Sequence, residues 1–118
     1  MSGFSMTRRI AIAVLSAGLA LSATGVAAQS ISGNYSADGR NPDGSTYTGK
    51  VQITEMGSAV GVAWQVGSQG YTGSGRREGR VLTVDWGDQH PVIYVIMPNG
   101  ELHGTWANGR ALEKLVPW

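Results

Sequence analysis

From residue 29 to the end of the chain, short apolar runs alternate with glycine-bearing turns, and this punctuation is the strongest constraint on the fold. Of the 18 glycines, only Gly3, Gly18 and Gly25 precede that point. No later segment keeps a helical period of apolar residues for the ten or so positions a helix needs. A backbone interrupted so often must satisfy its hydrogen bonds between strands rather than within helices. Alternation of apolar and polar residues predicts eight strands, over 32–37, 46–55, 60–66, 71–76, 80–86, 90–97, 101–107 and 111–116. Gly73 and Gly75 interrupt the fourth, and the sixth is apolar on both faces.

The turns are short enough to specify the order of the strands. Met56-Gly57-Ser58, Pro98-Asn99-Gly100 and Asn108-Gly109 are hairpin connections, which favour neighbours in sequence as neighbours in space. Asn41-Pro42-Asp43-Gly44 belongs with them, although Asn41, Asp43 and Ser45 place oxygens at alternate positions. A helix–loop–helix calcium site would need an acid or amide where Arg40 stands. Pro42 instead presets φ near about −65° and Gly44 supplies positive φ, which is turn chemistry. The expected architecture is an all-β, eight-stranded antiparallel up-and-down barrel, closed so that no strand edge is exposed. Its interior is wide enough for side chains or one small ligand. A β-sandwich is the next alternative, but these turns are too short for Greek-key crossovers. Lys50, Gln52 and Thr54 make the outer face polar, which argues against a transmembrane barrel.

Residues 1–28 have the pattern of a removable export signal. Arg8 and Arg9 precede an apolar run from Ile10 to Val26, and Val26-Ala27-Ala28 offers the small residues at which cleavage before Gln29 is expected. The run is short for a membrane span and is broken by Ser16, Gly18, Ser22, Thr24 and Gly25. The mature chain is then one domain, residues 29–118, in the periplasm or secreted, with no stable membrane insertion after cleavage. Losing Arg8 and Arg9 from nine basic and eight acidic side chains leaves a net charge of −1, which gives no electrostatic reason for a nucleic-acid partner. The chain has no cysteine, so an oxidising compartment adds no disulfide. A domain of this size buries roughly 60–65% of its unfolded surface and depends on filling its interior well.

Tryptophan is the obvious filler. Trp64, Trp86 and Trp106 lie near the C-terminal ends of the third, fifth and seventh strands, in phase with the apolar residues of each. All odd strands of an up-and-down barrel run the same way, so these rings should converge at one end. Tyr47, Tyr71, His90 and Arg110 start even strands and belong to the same end. The cluster either plugs the barrel or lines a cup for a small apolar ligand oriented by Arg110 or His90.

Catalytic and metal chemistry have little support. Asp85, Asp88 and His90 are close in sequence, yet a metal site needs three or four converging ligands, so neither a metal nor a cofactor is expected. Serine stands in no nucleophile-elbow pattern. Glu101 and Glu113 fall on neighbouring strands and are read as surface carboxylates. With no internal polar cluster legible, a non-enzymatic protein is expected. Arg76, Arg77 and Arg80 form a basic turn suited to an acidic protein partner.

Several spaced motifs carry a resemblance. Gly33, Tyr35, Asn41-Pro42-Asp43-Gly44-Ser45, Tyr47 and Gly49 are followed by Trp64 with Gly67, by PVIYVI around Tyr94, and by the closing NGELHGTWANGRALEKLVP. Together they resemble small exported alphaproteobacterial proteins often labelled fibronectin-binding proteins. The resemblance spans nearly all of residues 29–118 and implies an exported β-barrel that binds an extracellular-matrix protein. Such proteins carry a cysteine pair in the third and fourth strands; around Ala63 and Ser74 this chain has none. Gly33-Asn34-Tyr35 is also similar, more loosely, to the Gly-x-Trp that opens lipocalin- and avidin-like barrels. The expected function is therefore binding: of a matrix protein first, of a small apolar ligand at the aromatic end second, or of a hydrolase inhibited through the 76–80 turn third. Mass spectrometry of the exported protein is expected to find Gln29 at its N-terminus; retention of earlier residues would overturn the cleavage assignment.

Overall fold

Alternating side chains and tight turns produce eight strands, each hydrogen-bonded to the next. The structure is a computed structural model describing residues 29–118; the export signal assigned to residues 1–28 lies outside the described residues. The strands are β1 (Gly33–Arg40), β2 (Thr46–Met56), β3 (Ala59–Val66), β4 (Gln69–Glu78), β5 (Val81–Asp85), β6 (Val92–Ile96), β7 (Leu102–Trp106) and β8 (Ala111–Pro117). All neighbours are antiparallel, and β1 pairs with β8 from Tyr35↔Pro117 to Arg40↔Leu112, closing the barrel. This is the eight-stranded up-and-down barrel that the turn lengths predict.

The alternation works as the sequence implies. Val51 and Ile53 of β2 are buried while Lys50, Gln52 and Thr54 are exposed. Val60, Val62 and Trp64 of β3 point the same way, and Leu82, Tyr94, Leu102 and Leu115 complete a core from which solvent is excluded. The Asn41 turn is held by its own atoms. The Gly44 N–H donates to the Asn41 carbonyl at 2.9 Å and the Ser45 hydroxyl to Asp43 Oδ1 at 2.6 Å. Gly44 has φ of 92°, so the oxygens of this loop close a turn.

The strand bounds differ from expectation by up to three residues, and in three strands a local reason is visible. β4 is longer, because its glycines permit close approach by neighbours. A Cβ at Gly75 would lie 1.9 Å from the Thr83 carbonyl oxygen, and one at Gly73 would lie 2.8 Å from a Val84 methyl. β6 is shorter because Trp86 Nε1 donates to the His90 carbonyl at 3.1 Å, folding 86–90 into a loop, and Pro91 has no N–H for a ladder. β7 ends at Trp106 because Ala107 and Asn108 adopt φ of 51° and 57°, a left-handed pair that starts the four-residue loop before Ala111 pairs with Trp106.

The two ends are unlike. At the lower end, where odd strands begin, Ile31 is buried. Its N–H donates to Glu55 Oε1 at 3.0 Å and its carbonyl accepts the Tyr35 hydroxyl at 2.6 Å. Arg77 Nη1 neutralises Glu55 at 2.9 Å. Arg77 is thus a structural partner of Glu55 and not a free group of the basic turn assigned from sequence. The upper end, where odd strands finish, holds the aromatic residues.

Glycines let large rings lie along the inner wall. A Cβ at Gly104 would stand 2.5 Å from Tyr94 Cδ1 and 2.6 Å from the Ile93 carbonyl oxygen, whereas at Gly61 nothing lies within 4 Å. Gly104→Ala is expected to cost about 1–3 kcal/mol of stability through overpacking, and Gly61→Ala to stay within about 0.5 kcal/mol. Urea denaturation measures both; equal effects would refute the packing role of Gly104.

Candidate functional site

The upper end contains an open cavity of about 310 Å³ lined by Tyr47, Trp64, Tyr71, Trp86 and Trp106, with Asn41, Val66, Val92 and Glu113 completing it. Four of the rings form a continuous arc of edge-to-face contacts. Tyr47 meets Trp106 at 6.3 Å between centroids, Trp106 meets Trp86 at 5.9 Å, and Trp86 meets Tyr71 at 5.9 Å. Such pairs contribute about 0.5–1.5 kcal/mol each beyond burial, so the arc is pre-formed. Trp64 lies deeper and is buried, while Trp86 and Trp106 pack only partly against the core.

Below the arc lies a polar network around Glu113, whose exposure is 6%. The Tyr47 hydroxyl donates to its Oε1 at 2.8 Å, and Trp64 Nε1 donates to its Oε2 at 3.0 Å. The Tyr94 hydroxyl also donates to Oε2 and accepts from Trp64 Nε1 at 3.0 Å. Trp106 Nε1 extends the network to the Tyr47 hydroxyl at 3.0 Å. Each of these bonds to the carboxyl group is one it accepts, so both of its oxygens act as acceptors.

Strand register explains how these groups meet. Glu113 pairs with Gly39 on one side and Gly104 on the other. Gly39 pairs in turn with Tyr47, and Gly104 with Tyr94. One row across five strands therefore reads Tyr47, Gly39, Glu113, Gly104, Tyr94. The glycines beside the acid leave room for each tyrosine to lean across a strand and reach it; a Cβ at Gly39 would fall 2.0 Å from Tyr47 Cζ.

Five residues assigned to the aromatic end, Trp64, Trp86, Trp106, Tyr47 and Tyr71, line the cavity together. The other two do not. His90 contributes its backbone carbonyl, which holds Trp86. Arg110 is exposed and its Nε donates to the Ala107 carbonyl at 3.1 Å, so neither side chain lines the cavity. Arg80 Nε donates to the Ile96 carbonyl at 2.9 Å, and Arg76 is exposed on β4. Among the described residues no three His, Asp or Glu side chains gather at a metal-binding distance.

Reading Glu113 as a surface carboxylate is overturned, and with it the absence of an internal polar cluster. Glu101 instead contacts His103 Nε2 at 2.8 Å on the outside. A signal was present in the sequence: Glu113 is in phase with Ala111 and Leu115, which are buried. Tyr94 was equally available as the central residue of an apolar strand.

Comparison with known proteins bears on the fold alone. No family model and no curated protein matches the chain. Among solved structures, a redesigned β-barrel is similar with a TM-score of 0.55 at 12% identity, over 75% of this chain and 91% of that one.

Burial, and then the charge of Glu113, raise the phenol pKa values of Tyr47 and Tyr94 above the usual value. The folded state holds these protons more tightly than the unfolded chain does. Their contribution to stability is therefore complete below about pH 10, the unfolded value, and is lost as the pH rises toward the folded values. In an ultraviolet titration both are expected to ionise with unfolding and not before it. Glu113→Ala, which leaves the Tyr47 and Tyr94 hydroxyls short of an acceptor while Trp64 Nε1 keeps Tyr94, is expected to lower stability by about 2–5 kcal/mol. Ionisation of all tyrosines near pH 10 in the folded state would refute the network.

Proposed function

We propose that the protein is an exported, non-enzymatic binding protein that holds one small organic ligand in its upper aromatic cavity. The observation that carries this reading is the cavity itself, about 310 Å³ and walled by five aromatic side chains. That volume is at the lower end of the range for small-molecule sites. A small barrel without disulfides gains stability by filling its interior, so an aromatic mouth left open to water forgoes burial that a ligand would restore. The pre-formed arc also reduces the ordering cost of binding.

Binding rather than turnover is supported by the setting of Glu113, whose carboxyl group is held by three donors in a cavity otherwise lined by aromatic, aliphatic and amide side chains. A matrix protein or an inhibited hydrolase, the other readings of the sequence, fits the geometry less well. The 76–80 turn commits Arg77 to Glu55 and Arg80 to the Ile96 carbonyl, and of the motif residues that carry the family resemblance, Asn41, Tyr47, Trp64, Trp106 and Glu113 line the cavity itself. Export rests on Arg8-Arg9 and the apolar run before Gln29.

The neutral fluorescent probe N-phenyl-1-naphthylamine tests the reading. It is expected to brighten on binding and to quench tryptophan emission, and Trp86→Ala to weaken it by about tenfold. Trp118→Ala serves as the control, because Trp118 is 69% exposed and its Nε1 donates to Ser36 on the outer face. Equal effects of the two substitutions would overturn the cavity as the binding site.

A further inference from the structure

We infer that the ligand is an organic cation: an ammonium head, up to fully methylated, on an apolar or aromatic body, seated among the aromatic rings above Glu113. This rests on the cavity being a ligand site and names the chemistry that it selects. Glu113 lines the cavity at 6% exposure. Its only partners among the described residues are the neutral donors Tyr47, Tyr94 and Trp64. The Arg77–Glu55 ion pair and the His103–Glu101 contact of the described barrel are elsewhere. A buried carboxylate is normally balanced by a cation, and here the open side of the site is where one can enter.

The distribution of hydrogen bonds points the same way. Oε2 accepts from both Tyr94 and Trp64, whereas Oε1 accepts from Tyr47 alone. Oε1 therefore keeps acceptor capacity for an N–H donor, and its charge acts on a methylated head without one. The remaining lining residues, five aromatics with Asn41, Val66 and Val92, carry no positive charge. Aromatic rings around a cation add attraction through their quadrupoles, and desolvation strengthens it. An anionic ligand such as a fatty acid would meet Glu113 with no basic group to offset the repulsion, since Arg110 is engaged outside the cavity.

Three ligands of similar shape decide the matter by isothermal titration calorimetry with the mature protein: benzyltrimethylammonium, its uncharged carbon isostere neopentylbenzene, and phenylacetate. The cation is expected to bind at least about tenfold more tightly than neopentylbenzene, and phenylacetate more weakly than both. Glu113→Gln should bring the cation and its isostere within about threefold of each other. Equal or tighter binding of neopentylbenzene by the wild type would overturn the cation inference and leave the cavity reading standing. If neither these ligands nor N-phenyl-1-naphthylamine binds, both fall. The wild-type comparison needs no variant, so the inference stays refutable if Glu113→Gln does not fold.

Discussion

A buried carboxylate with no basic partner among the described residues governs the upper half of this barrel. Removing a charge from water is costly unless hydrogen bonds replace its solvation, and Glu113 receives them from Tyr47, Tyr94 and Trp64. That demand explains features that look unrelated in the sequence. Gly39 and Gly104 flank the acid in register because any larger residue would block the two phenols. Tyr47 in turn accepts from Trp106, which is how the rim of the cavity becomes tied to its floor.

The lower end solves a similar problem differently. Glu55 is matched by Arg77 and by the N–H of Ile31, so its charge is neutralised by the chain itself. One end is therefore packed around an ion pair, while the other is open and aromatic with a carboxyl group in its floor. This asymmetry gives the barrel a direction.

Local chemistry was legible residue by residue. The Asn41 turn follows from Pro42 and Gly44, and the convergence of Trp64, Trp86 and Trp106 follows from strand parity. The glycines of β4 misled, because Gly73 and Gly75 look like breaks when considered along one strand. Across strands they are sites of close approach to Val84 and Thr83. His90 and Arg110 were placed at the correct end, but strand parity says nothing about where a flexible side chain turns.

Period-2 alternation, turn chemistry and the absence of any helical period were enough to settle the strands and their order, because both depend on residues close in the chain, and closure was then expected because it hides the two remaining edges. Glu113 needed more. Its row joins residues from 39 to 113 through four separate pairings, and a shift of one residue in any of them would turn the side chains to the opposite face. Register between distant strands is a property of the closed sheet. Only there do one acid, two glycines and two tyrosines become a single polar floor beneath an aromatic mouth.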